Sequence, residues 1–344
     1  MGSSHLNNDW LGKVSNTMQI GGIETAVLDN GAGRGVRIAW VNTGGGLRYK
    51  VVLDRAMDIA DAFGGSYSLT WLSSLGITSP EKFSNKGIDW LDTFGGGLLA
   101  TCGLLSTGPP GKEQDWEYGL HGKIGNIPAE IESVIQPDPM NGKLTMSITG
   151  IMKETKIFGP NLELRRTISS ELGRNVIKID DQVSNKGNTP TPHMYLYHCN
   201  LGWPLVDEGT EINWEGVWKA RDKESEEIFG ANNNFHVCPK IMETHNGGGE
   251  AAAFIDVASD ENGISACSII NRKIGLQLNM KFKKEQLPWL INWQHWGKGE
   301  YVTGIEPATC PPIGLAQAIK EGKAIFLKPG EKRDYQLEFE LRAF

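Results

Sequence analysis

A hydrophobic period of two constrains this chain more than any other feature of its sequence. Larger apolar residues alternate in Val36-Arg37-Ile38-Ala39-Trp40-Val41 and again in Leu47-Arg48-Tyr49-Lys50-Val51. The same spacing returns in Leu144-Thr145-Met146-Ser147-Ile148 and Val176-Ile177-Lys178-Ile179-Asp180. Successive side chains of a strand point to opposite faces, so this spacing describes strands with one face on a core. Turn chemistry separates such runs. The Asn-Gly pairs are Asn30-Gly31, Asn141-Gly142 and Asn262-Gly263, with a looser signal at Asn185-Lys186-Gly187. Helical spacing is scarce. Leu315 to Glu321, closed by Gly322, predicts two turns with a glycine cap, and Lys281 to Gln286 predicts one more. The pattern calls for an all-β fold, a large antiparallel sandwich with few short helices.

Composition agrees. Gly and Pro together make about 17% of the 344 residues, against roughly 12% in ordinary chains, without a period. Eleven Trp supply material for a packed core. Length alone permits two domains. The candidate linkers, Gly108-Pro109-Pro110-Gly111 and the polar stretch Arg221 to Asn234, are too short to separate them. Residues 1–344 therefore read as one β unit, with 1–18 as a peripheral segment. The net charge of −7 and the absence of a basic tract argue against nucleic acid. No apolar run approaches ~18 residues, so no membrane span is expected. The opening MGSSHLNNDW lacks the apolar stretch of a signal peptide, and Leu6 stands where myristoylation wants Ser or Thr. The five cysteines, Cys102, Cys199, Cys238, Cys267 and Cys310, are odd in number and dispersed. They predict buried thiols in a reducing cytoplasm, with neither a disulfide framework nor a CxxC motif.

Four segments set polar residues in or beside apolar runs. In Leu53-Asp54-Arg55-Ala56-Met57-Asp58-Ile59, an Arg held among strand residues needs an anion or a polar ligand, because a lone buried charge is costly. An Arg55–Asp58 ion pair is the plainer account. In Gly119-Leu120-His121-Gly122, glycines near a His let backbone and ligand approach closely. In Pro192 to Gly202, strand parity puts His198 and Asn200 on one face and His193 on the other. A core histidine bonded to a carbonyl would explain either. In Tyr301 to Thr309, Glu306 lies between an apolar strand and Pro307. Partial desolvation there would raise its pKa toward that of a useful base.

The tryptophans group as Trp289, Trp293 and Trp296, and as Trp203, Trp214 and Trp218. Most belong in a core. One or two at a cleft, Trp293 foremost, suit the C–H faces of a sugar. The glycines of Phe94-Gly95-Gly96-Gly97-Leu98 open neither a phosphate loop nor a dinucleotide fold. No G-x-S-x-G or H-E-x-x-H is present, and the seven histidines are scattered. No metal or other cofactor is therefore expected, although distant strands could still assemble a metal site.

As an ordered set, these segments resemble the aldose 1-epimerase, or galactose mutarotase-like, family, in an uncharacterised branch. The likeness runs through Asp54-Arg55-Ala56-Met57-Asp58-Ile59, then Phe94 to Leu99 with Thr101-Cys102-Gly103-Leu104. It continues through Leu120-His121-Gly122, Tyr197 to Gly202, Gly304-Ile305-Glu306-Pro307 and Leu327-Lys328-Pro329-Gly330-Glu331. The resemblance implies a β-supersandwich that binds a small sugar or sugar derivative across one large sheet. It implies Glu306 as the general base at the anomeric hydroxyl and His198 as the general acid at the ring oxygen. His121, Arg55, Asn200 and Trp293 would bind substrate. His193 is the alternative acid. Ala56 follows the Arg where the family pattern expects Gly, and no residue here takes the place of the family's further sugar-binding Asp. Two other functions share these residues: a non-catalytic carbohydrate-binding protein, and a metal-assisted isomerase or lyase using His121, His198 and Glu306 as ligands.

Overall fold

Antiparallel ladders account for the strand pairing throughout the structure, a computed structural model that describes residues 10, 12–113, 116–230 and 234–344. Most of the predicted peripheral segment, residues 1–9 and 11, lies outside the described residues. The strands form three sheets of five, eight and seven strands, with one small two-stranded hairpin. In the eight-stranded sheet, Asn161–Glu171, Val176–Asn185 and Lys332–Ala343 lie side by side. Their burial alternates residue by residue, as period two requires: Leu162, Leu164 and Ile168 face the core while their neighbours lie nearer solvent. One cluster of buried apolar side chains draws on all three sheets, including Val51 and Ile59, Ile179 and Leu337, and Tyr195 and Ile305.

The seven-stranded sheet carries most of the candidate residues. Its order runs Gly216–Ala220, Ala251–Val257, Trp289–Gly297, Glu300–Ala308, Thr191–Gly202 and Ile325–Leu327, and Ala100–Leu104 also pairs with Thr191–Gly202. Every residue of Thr191–Gly202 is buried. That explains why its sequence shows no alternation: both faces of the strand are covered. Tyr195, Tyr197, Cys199 and Leu201 point into the main core. Leu196, on the other face, joins a second cluster with Trp90, Phe94, Phe254 and Ile291.

The core face holds a polar network as well. Arg166 is fully buried and makes two parallel bonds to Asp181, Nε to Oδ1 at 2.9 Å and Nη2 to Oδ2 at 2.8 Å. The Tyr195 and Tyr197 hydroxyls donate to the same carboxylate, each at 2.7 Å. Arg166 Nη1 donates to Thr101 Oγ1, the Ala56 carbonyl and Asp58. Desolvated charges of this kind persist only when each is paired and hydrogen-bonded.

Three expectations need correction. The Arg55–Asp58 ion pair is absent among the described residues. Asp58 instead accepts from Thr101 and Arg166, and Arg55 Nη1 donates to Thr78 Oγ1 at 2.5 Å. Lys281 to Lys283 end the strand Leu276–Lys283 rather than starting a helix, because Leu276, Leu278, Met280 and Phe282 alternate into the core. The stretch Arg221 to Asn234 is not all loop. It contains the helix Lys223–Gly230, capped by Asp222 Oδ1, which accepts from Ser225 N at 2.8 Å. The predicted helix near Leu315 is present as Leu315–Lys320, and Gly322 beyond it has φ +67°. All five cysteines are buried and free. No helix among the described residues is long and apolar enough to cross a membrane.

Candidate active site

Sheet register brings the proposed acid and base together. Thr191–Gly202 and Glu300–Ala308 pair antiparallel, with Leu196 opposite Ala308 and Cys199 opposite Ile305. Between those pairs His198 falls opposite Glu306. His198 Nε2 lies 3.3 Å from Glu306 Oε1, and both residues are buried. The next strand places Ile291 beside Glu306 and Trp293 beside Gly304, and beyond them stand Phe254 and Ala252. A row of Phe254, Ile291, Glu306, His198 and Ala100 thus crosses the sheet on one face.

Gly304 has a specific task in this arrangement. A Cβ built there would stand 2.3 Å from Glu306 Oε1. The carboxylate folds over the space that a side chain two residues earlier would fill. Glycine here leaves room for the Glu306 carboxylate, a different role from the ligand access expected of the site glycines. Gly122 is likewise a backbone requirement: it has φ +71°, and a Cβ there would come within 2.4 Å of the Gly103 carbonyl.

His121 reaches the same face from a loop. Its carbonyl accepts from Gly103 N at 2.9 Å, and its own N–H donates to the Gly108 carbonyl at 3.0 Å. The residue adopts φ +56°, a left-handed conformation costly for a non-glycine and held by those two bonds. Its ring centre lies 5.7 Å from that of His198. Aromatic rings enclose the pair. Trp90 lies 4.8 Å from His121 and Phe94 5.1 Å from His198, while Trp293 meets His198 edge-on at 5.5 Å.

Electrostatics follow from this enclosure. Burial pushes Glu306 well above the usual carboxylate range, and the charge of Glu250 adds to the effect. Burial lowers His198 well below an ordinary histidine, helped by the neighbouring His121. His121 is brought down by burial to about 4. His198 Nδ1, Asn200 Oδ1 and Glu306 Oε1 are buried on this face without a well-formed hydrogen bond, although Asn200 is near enough to His198 to raise its pKa and Glu306 Oε1 faces His198 Nε2 at 3.3 Å.

The structure therefore groups Glu306, His198, His121, Asn200 and Trp293. Asn200 shares the face as strand parity predicts, and its Nδ2 donates to the Gly97 and His198 carbonyls. His193 stands apart. Its Nδ1 pairs with the Leu104 carbonyl at 2.9 Å and its Nε2 with the Tyr335 hydroxyl at 2.8 Å, so both nitrogens are engaged in the interior. Arg55 lines an adjoining cavity whose walls include Trp90 and Phe94. Among the described residues, no three His, Cys, Asp or Glu side chains gather closely enough to hold a metal ion.

Sequence reasoning gave no site role to Glu250, Trp71, Trp90 or Phe94, although Phe94 opens one of the motifs that carry the resemblance. Glu250 accepts from the Trp293 indole at 2.7 Å and from Arg221 at 2.5 Å, so it fixes Trp293 at the rim. Trp90 and Phe94 stack at 4.1 Å, and Trp71 packs on Phe94 and Trp293. These residues lie outside the strands that carry His198 and Glu306, and no local spacing links them to His198.

Residues 33–341 match the family described as Domain of unknown function (DUF4432). The chain belongs to this family. No curated protein matches the sequence. Among solved structures, a candidate aldose 1-epimerase from Klebsiella pneumoniae superposes with a TM-score of 0.86 at 24% identity, covering 98% of this chain and 86% of the other. A galactose mutarotase-like protein from Clostridium acetobutylicum gives 0.64 at 13% identity, covering 94% and 98%. Galactose 1-epimerase from Lactobacillus acidophilus gives 0.61 at 13%, covering 93% and 98%. This DUF4432 member thus has the mutarotase-like fold that its motifs resemble. Likeness at these identities establishes fold alone.

Proposed function

We propose that this DUF4432 member is an aldose 1-epimerase, interconverting the anomers of a small sugar or sugar derivative. The observation that carries the reading is the direct opposition of His198 and Glu306 on paired strands, 3.3 Å apart in a desolvated aromatic enclosure. Glu306 Oε1 takes the proton of the anomeric hydroxyl. His198 Nε2 gives a proton to the ring oxygen, and the bond between that oxygen and the anomeric carbon breaks. The free aldehyde turns about its carbon–carbon bond. Ring closure on the other carbonyl face, with both protons returned, gives the opposite anomer. One proton leaves and one arrives, so the cycle balances without an electron carrier, and positioned transfer of this kind contributes roughly 10²–10⁴-fold.

His121 presents a neutral ring to a sugar oxygen, because burial holds its pKa near 4. Trp293 offers a flat face held in place by Glu250. Asn200 Oδ1, without a well-formed hydrogen bond, is available to a sugar hydroxyl.

Exchange spectroscopy by proton NMR tests the reading on a broad panel of aldoses and sugar acids. Faster exchange between α and β anomeric signals is expected for at least one sugar. Acceleration of none would overturn the reading, and affinity without exchange would make the protein a carbohydrate binder on the same scaffold.

A further inference from the structure

The cavity beside the acid–base pair has a volume of about 330 Å³. Its walls are largely apolar, with Leu72, Leu75, Ile77, Trp90 and Phe94 among them. Four charged residues also line it, and their pairing is uneven. Lys50 pairs with Asp61. Asp58 accepts from Thr101 N, Thr101 Oγ1 and Arg166, so its charge is already answered from within the core. Arg55 makes no ion pair among the described residues, although the Asp58 carboxylate acts on it through space. Among the described residues only its Nη1 finds acceptors, the hydroxyl and carbonyl of Thr78. The remaining guanidinium donors have no acceptor there, in surroundings that lower the arginine's pKa through burial. A guanidinium fork with free donors on an apolar-walled cavity is built for a planar or tetrahedral oxyanion.

The cavity shares walls with the reaction site, although neither Glu306 nor His198 lines it. Trp90 and Phe94 form walls of both, and Ala100, which lines the cavity, pairs in register with His198. We propose that the Arg55 cavity is the subsite for an oxyanion substituent (carboxylate, sulfonate or phosphate) on the sugar whose anomeric centre meets Glu306 and His198. The substrate class is therefore an anionic sugar. This inference rests on the epimerase reading for its placement of the anomeric carbon.

Matched substrates provide the test. Anomer exchange is measured for glucuronate against glucose, galacturonate against galactose, and glucose 6-phosphate against glucose, with wild type, Arg55→Gln and Arg55→Lys. At least one anion should show kcat/KM on the order of 10–100-fold above its neutral partner, the scale of one charge-assisted bond. That ratio should fall toward one in Arg55→Gln and survive in part in Arg55→Lys, which keeps a cation should the Gln variant fail to fold. The uronate and phosphate arms report which anion fits. Neutral sugars equal or preferred in every pair would overturn the subsite while leaving the epimerase reading intact. An anion preference undiminished in Arg55→Gln would overturn it too. If no sugar exchanges at all, the epimerase reading fails, and calorimetric titration with glucuronate decides the subsite: Arg55-dependent binding supports it, and no binding overturns it.

Discussion

The two faces of the strand Thr191–Gly202 hold buried polar groups under opposite rules. On the core face, Tyr195 and Tyr197 donate to Asp181, Asp181 is clamped by Arg166, and Arg166 fills its remaining donors with Thr101, Ala56 and Asp58. On the other face, His198, Asn200 and Glu306 are equally buried, yet each keeps an atom without a well-formed hydrogen bond. A satisfied network rigidifies the sheet, and the incompletely bonded groups on the other face remain free to bond elsewhere. Burial alone therefore does not distinguish the two faces, whereas hydrogen-bonding on this strand does.

The comparison breaks most sharply at Arg166. Arg166→Met should strand Asp181 and Asp58 without a counter-charge and cost about 3–5 kcal/mol of folding stability, read by urea unfolding. A loss below about 1 kcal/mol would mean that the core network is not structural. Gly304→Ala acts on the other face. Its Cβ displaces the Glu306 carboxylate, and a shift on the order of 1 Å should lower kcat/KM about 10²-fold. A rate unchanged in that variant would detach Glu306 from the chemistry.

His193→Phe sharpens the same contrast. It removes two core hydrogen bonds, so stability should fall by about 1–3 kcal/mol while kcat/KM stays within threefold of wild type. A rate lost without a stability change would make His193 the acid. The smallest effect is on the pH profile. Catalysis needs Glu306 ionised and His198 protonated, whereas burial favours the reverse. The rate should then show a plateau whose acidic limb belongs to His198 and whose basic limb belongs to Glu306, the reverse of the order that free side chains would give, read by NMR titration of both groups beside the rate profile. Glu306 titrating below His198 would show the pair to be solvated.

Much of the fold was legible because period two survives wherever only one sheet face is buried, as in Val176–Asn185. The same parity contained the core network. Arg166 is in phase with Leu162, Leu164 and Ile168, so its burial could have been read from the spacing. Parity also put His198 and Asn200 on one face correctly. It failed on residues delivered by loops: Trp90, Phe94 and Glu250 arrive through long-range packing that no local pattern encodes. Arg55 was legible as a cation needing an anion, but its expected partner Asp58 is occupied by Arg166, a residue more than a hundred positions away.

Glu306→Gln, read for rate and stability together, tests the central claim most directly. The folded-state pKa of Glu306 lies above its unfolded value, so ionisation opposes folding, and stability is lost as pH rises from near 4.5 toward the folded pKa. The Gln variant removes that loss. It should abolish anomer exchange, by about 10²–10⁴-fold, while being at least as stable as wild type at neutral pH and no more stable below pH 4.5. Full exchange activity in Glu306→Gln, or a loss of activity accompanied by a matching loss of stability, would contradict the account.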